Sequence, residues 1–246
     1  AEPEGYEPAT KTRRLDADDD ASRGIITVEL LDAMRDSYQT FDALREECIK
    51  RCRAPQKSAK IAVHALQRGE FDRAGLLLKE SANELNMIHV EVVAKGPSLR
   101  GSGSFSGVVE ELVEALLLQG VLADGRLFSL EEVESRLGFA FPMTPEEYMG
   151  GVLDTTGELV RIAVRAAGKR DRVRLLRCAE CTEATVEGLI TIALSPSLGK
   201  KAGTARHSLS KIESLLYQNT LISAGMKFIE SDKVREPAES EQTDEN

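Results

Sequence analysis

Apolar residues along most of this chain recur at intervals of three and four, the period of a helix that buries one face. Over residues 28–53 the series Leu30, Leu31, Met34, Tyr38, Phe41, Leu44, Cys48 and Ile49 predicts a long amphipathic helix. Pro55 removes an amide donor and crowds the preceding turn. The pattern nevertheless resumes at Lys57 and runs through Ile61, Val63 and Leu66 to Gly69, so one bent helix or two collinear ones both satisfy it.

A second helix is predicted over residues 70–94, and residues 95–107, with four glycines in K-G-P-S-L-R-G-S-G-S-F-S-G, read as a flexible connection. A third fits residues 108–121. Ser129, with Glu131 and Glu132 after it, is placed to cap a short helix that stops at Gly138. Thr144-Pro145-Glu146-Glu147 puts proline at the first helical position and a glutamate three residues after the cap, which starts a fifth helix running to about residue 167. A sixth spans residues 171–194, stopped by Ser195-Pro196, and a seventh spans residues 204–230. With no strand pattern and no repeat, the expected fold is all-α: one seven-helix domain over residues 25–230.

Composition agrees. Aromatics are 4% and tryptophan is absent, while 41% apolar residues suffice for a sizeable core. Charge adds something the periodicity does not show. Residues 1–23 carry seven acidic and four basic groups, and residues 230–246 carry seven and two. The 41 acidic groups less these fourteen, and the 32 basic less these six, leave 27 and 26, a net of −1 between the ends. Residues 1–24 and 231–246 therefore read as disordered acidic tails on a nearly neutral body, and an acidic total does not exclude nucleic-acid binding by a local basic surface. No apolar run reaches the roughly 20 residues of a membrane span and no secretory signal is present, so the expectation is a soluble, intracellular protein, cytoplasmic or nuclear, with no membrane partner. Four cysteines make no disulfide framework.

Carboxylates on otherwise apolar helices are the candidate chemistry. Glu111 and Glu114, three apart, share a face among Val108, Val109, Leu112, Val113, Leu116, Leu117 and Leu118. Asp154 and Glu158, four apart, share a face of the fifth helix, where Gly150, Gly151 and Gly157 each cost about 1 kcal/mol relative to alanine and point to close helix approach. Brought together, four carboxylates repel unless protonated or bound to a cation. Oxygen-only ligands suit Mg²⁺, or Mn²⁺ in its place, and such ions activate water for displacement at phosphorus. Spacing alone leaves open a solvated ion-pair face, since Arg161 and Arg165 follow Glu158 at helical intervals.

Basic residues cluster twice, at Arg45, Lys50, Arg51, Arg53, Lys57 and Lys60 on the first helix and at Lys169, Arg170, Arg172, Arg174 and Arg177 around the start of the sixth. Either cluster could follow phosphates, and either could be an ordinary solvated face. Cys48-x3-Cys52 and Cys178-x2-Cys181 sit within helical patterns rather than the turns that zinc sites use. His64, His89 and His207 are isolated, with no E-x-x-H for a di-iron bundle. Residues 101–107 lack the phosphate-loop lysine, and no nucleophile motif supports acyl transfer.

The fifth helix carries a resemblance. T-P-E-E-Y-M-G-G-V-L-D-T-T-G-E-L-V-R, residues 144–161, resembles the D-Y-L-x-G-V-x-D-L-T-G-E-L-M-R signature of the translin superfamily, in particular its translin-associated factor X (TRAX) branch, and K-I-E-S-L-L-Y in the last helix is similar to the family's K-V-E-x-x-x-Y. The resemblance implies a seven-helix fold in a hollow octamer, formed with a translin-like partner chain or with copies of itself. It implies binding of single-stranded RNA or DNA and an Mg²⁺-dependent endoribonuclease site whose acidic residues map onto Glu111, Glu114, Asp154 and Glu158. Thr155 stands where the family has leucine, a change expected to be tolerated, and the glycines of residues 101–107 imply a mobile approach to the acidic helix.

Overall fold

Pro55 sits inside an unbroken first helix. In the computed structural model, which describes residues 26–225, α1 runs Val28–Arg68 and Pro55 is buried within it. The proline removes one helical hydrogen bond, but Cys48, Cys52, Ala59, Ala62, Val63 and Leu66 are buried on either side, and that apolar face holds the helix together across the break. The Pro55 carbonyl also accepts a hydrogen bond from Ser81 Oγ of the next helix at 3.2 Å. Gly69, at φ 81°, ends α1 in the left-handed conformation that glycine adopts without strain.

The other helices are α2 (Phe71–Glu91), α3 (Gly103–Ala123), α4 (Leu130–Leu137), α5 (Pro145–Lys169), α6 (Arg172–Leu189) and α7 (Pro196–Ser223). The described residues are thus all-helical with seven α-helices, as expected. Both predicted caps form, and each is a full capping box: Thr144 with Glu147 as expected, and Ser129 with Glu132. The acidic tails lie outside the described residues, and the last helix ends at Ser223, short of the predicted residue 230.

Two expectations need correction. Residues 95–107 are not a flexible connection: two short 3-10 turns, Val93–Lys95 and Pro97–Gly101, lead directly into α3. Leu99 and Phe105 are buried between the glycines, and the Arg100 guanidinium pairs with the buried Glu147 and donates to the Pro142 carbonyl. Glycine content registered the chain's freedom and missed these three anchors. The last helix starts at Pro196 rather than residue 204, because Ser195-Pro196 opens α7 as well as closing the segment before it.

α3 is the centre of the packing. It lies against α1 and α5, with α2 and α4 also touching it, and is buried nearly all round. α6 and α7 pack against α5, where Leu153, Val186, Leu189, Leu198, Ala202 and Ala205 form a second, smaller core. The contact of α3 with α5 depends on Gly150 and Gly151. A Cβ at position 151 would lie 2.5 Å from Val113 Cγ1 and 3.1 Å from the Glu110 carbonyl oxygen, and one at 150 would lie 2.7 Å from the Glu110 carboxyl. Gly157, by contrast, has open space around it, so its expected close approach is not there. Thr155 is buried and donates to the Gly151 carbonyl at 2.8 Å, which is how a hydroxyl is tolerated at this position.

Opposite stability changes are expected at two glycines of one helix. Gly151→Ala overpacks the α3–α5 contact and should destabilise by about 1–3 kcal/mol, whereas Gly157→Ala should stabilise by about 0.5–1 kcal/mol through helix propensity. Urea unfolding midpoints of the two variants check this.

Candidate functional site

The carboxylates singled out in the sequence come from the two helices that the glycines bring together. Glu111, Glu114 and Glu158 line a crevice of about 250 Å³ with Lys60, His64 and Arg161. Glu158 is buried; it accepts from Gln67 Nε2 and pairs with Arg161 at 2.8 Å. Glu111 pairs with Lys60 of α1 at 3.0 Å. Asp154 is turned toward α7, where Lys201 Nζ lies 2.5 Å from its Oδ2 and 2.5 Å from Glu110 Oε2.

Among the described residues Glu114 has no such cation. Burial pushes its carboxyl up to about 8, reinforced by the negative charges of Glu158, Asp154 and Glu111 and opposed by Lys201. It is therefore a protonated acid at neutral pH, inside electrostatic reach of the three other predicted residues. Burial works against the Lys201 ammonium, but its hydrogen bonds to Asp154 and Glu110 outweigh that and raise it above an ordinary lysine.

The four predicted carboxylates thus share one neighbourhood, yet three of them are each held by a different cation of the chain. Among the described residues no three His, Cys, Asp or Glu side chains converge as a ready-made ligand set. Two members of the cluster were missed. Glu110 is adjacent to Glu111 and four residues before Glu114, a spacing that could have revealed it. Lys201 had no such signal, because the predicted start at residue 204 left it outside any helix.

The predicted nucleic-acid contacts divide. Lys50, Arg53 and Lys57 are exposed on α1, and Arg172 is exposed at the first position of α6. Arg170 is exposed in a left-handed conformation, φ 57°, where it ends α5. Arg45 and Arg51 already carry acidic partners: Arg45 pairs with Asp42 and Glu46, and Arg51 ties α1 to Glu84 and Glu91. Arg51 thus joins α1 to α2, whereas the pairs of Arg45 stay within α1 and are partly exposed. Cys48 and Cys52 are buried neighbours with Sγ atoms 3.9 Å apart, Cys178 is buried and Cys181 half-buried, and all four are free thiols.

Comparison with known proteins gives a match to the Translin family over residues 35–222. The chain is 27% identical over 166 residues to the Translin-associated protein X homolog of Schizosaccharomyces pombe, a span of 65% of this chain and 69% of that protein. To Translin-associated protein X of Mus musculus it is 23% identical over 173 residues, 57% of this chain and 60% of the mouse protein. Among solved structures, apo-NeC3PO superposes with a TM-score of 0.65 at 20% identity, covering 80% of this chain and 100% of that one. A complex of AfC3PO with duplex RNA gives 0.65 at 22% identity, covering 79% and 98%. At these identities the structural likeness shows the fold.

The raised Glu114 carboxyl predicts a pH signature. Between the ordinary carboxyl value of 4.5 and about 8, the folded protein keeps a proton that the unfolded chain has lost. Stability should therefore fall as pH rises through that window, with the full penalty above it. Glu114→Gln should flatten the slope, as measured by thermal unfolding from about pH 5 to 9; an unchanged slope would place the titration elsewhere.

Proposed function

The chain belongs to the Translin family, and on that premise we propose that it is a TRAX-like, Mg²⁺-dependent endoribonuclease subunit that cleaves single-stranded RNA inside an octameric translin-type assembly. The observation that carries this reading is the surplus of carboxylates where α3 meets α5, with Glu114 held protonated by burial and by its like-charged neighbours. A protein gains no stability from burying acids beside one another, whereas a hard cation would turn their repulsion into ligation. The donor set fits that cation: it is all carboxylate, and it contains neither the thiolates nor the imidazole pairs that softer metals use.

Glu111, Glu114, Asp154 and Glu158 would hold the ion, Mg²⁺ or Mn²⁺. Such an ion, when bound, supplies an activated water and charge stabilisation for displacement at phosphorus. The chain's own side chains do the rest. Glu114 must give up its proton before it can serve as a ligand. Lys60 and Arg161, with side chains 57% and 61% exposed, stand at the rim of the crevice, placed to hold a phosphodiester against the carboxylates. Lys50, Arg53, Lys57 and Arg172 would follow the backbone without reading bases, which gives weak sequence preference and steep salt dependence. The duplex RNA bound to AfC3PO supports nucleic acid as the ligand class.

Assembly has its own support. Leu30, Leu31, Met34 and Tyr38, the predicted apolar stripe of α1, are 46–68% exposed. A translin-like partner or another copy of this chain would cover them. A second reading, a non-catalytic single-stranded DNA- or RNA-binding or scaffold subunit, is favoured by one observation: Lys60, Arg161 and Lys201 already neutralise three of the carboxylates.

Labelled single-stranded RNA incubated with the protein, alone and with a translin-like partner, separates the two readings. Cleavage in Mg²⁺ but not in EDTA is expected, with Asp154→Asn slowing it by about 100-fold or more while RNA binding and assembly persist. Binding without cleavage in every condition would leave the scaffold reading.

A further inference from the structure

Lys201 is the most enclosed cation of the carboxylate cluster. Its side chain is 31% exposed, against 57% for Lys60 and 61% for Arg161. It reaches from α7 to one carboxylate on α3 and one on α5, so a single ammonium joins three helices. A side chain at Gly150 would meet the Glu110 carboxyl that Lys201 holds, and the Glu110 side chain would have to shift.

We propose that Lys201 is a resident counter-cation, which holds Asp154 and Glu110 and must leave Asp154 when a divalent cation binds the cluster. This inference rests on the metal-dependent reading above and adds a competitor to it. Lys201 Nζ occupies Asp154 Oδ2 at 2.5 Å. A divalent ion ligated by the same carboxylate would sit within a few ångströms of the ammonium, and the two positive charges repel. Asp154 is turned to α7 by the very group that would have to be displaced.

There is somewhere for the ammonium to go. Lys201 and Glu110 border a cleft of about 750 Å³ that shares no lining residue with the crevice and is bordered also by Gly103, Gly107, Ser197 and Leu198. A four-carbon stem with free rotation can swing the charge into it while the helix stays in place. Glu110 can remain with the displaced ammonium, so the swing does not strand a bare charge.

The test is direct binding of Mn²⁺, followed by the electron paramagnetic resonance signal of the free ion, to the full chain without RNA. Lys201→Gln and Lys201→Met should bind Mn²⁺ about fivefold more tightly or better, while Lys201→Arg, which keeps the charge, should stay near the unmodified protein. Equal or weaker binding in the neutral variants would overturn the proposal and leave the metal-dependent reading standing. Loss of fold in both neutral variants, with Lys201→Arg intact, would make the bridge a structural clamp and overturn it as well. If neither the unmodified protein nor the neutral variants bind Mn²⁺, the reading and this inference fall together.

Discussion

The close contact of α3 with α5 is the constraint on which the site depends. Gly150 and Gly151 let the helices approach until Val113 and Glu110 fill the space a side chain would take. That approach buries the apolar faces on both sides of the contact and carries five carboxylates with them. Glu158 is buried there, and Glu110, Glu111, Glu114 and Asp154 are half-buried. The consequence is visible in Glu114, whose proton is retained to about 8 by burial and by its neighbours.

The partly enclosed acids must be balanced by charge of the opposite sign. Glu110, Glu111, Asp154 and Glu158 are answered by Lys201, Lys60 and Arg161, and each of these cations comes from a different helix. Two of them stand at the exposed rim; one lies within. The arrangement holds its acids apart with side chains that are long, mobile and singly charged. A divalent ion would neutralise the same group of acids more compactly. The functional reading rests on this contrast between the charge the helices bury and the means available to balance it.

Much of this was legible in the chain. The helical period, the caps at Ser129 and Thr144 and the stops at Gly69 and Gly138 are local signals, and local signals decide helix ends. The pairs Glu111/Glu114 and Asp154/Glu158 stood out because an acid on an apolar helix is conspicuous wherever the fold places it. The misses have physical causes. Residues 95–107 are ordered by Leu99, Arg100 and Phe105 acting on distant partners, which glycine counting does not register. Lys201 was hidden because Ser195-Pro196 both ends one helix and begins another. The acids beside Arg45, Asp42 and Glu46, are near it in the chain, whereas Glu84 and Glu91 reach Arg51 from α2 and only the fold shows them.

The central claim is that the α3–α5 carboxylates form a cation site. Its most direct measurement is anomalous diffraction from crystals of the protein grown or soaked in Mn²⁺ near pH 8, where Glu114 begins to release its proton. One strong anomalous peak among Glu111, Glu114, Asp154 and Glu158 is expected. Saturating Mn²⁺ with no peak there, and with Lys60, Arg161 and Lys201 still seated on their carboxylates, would contradict the claim.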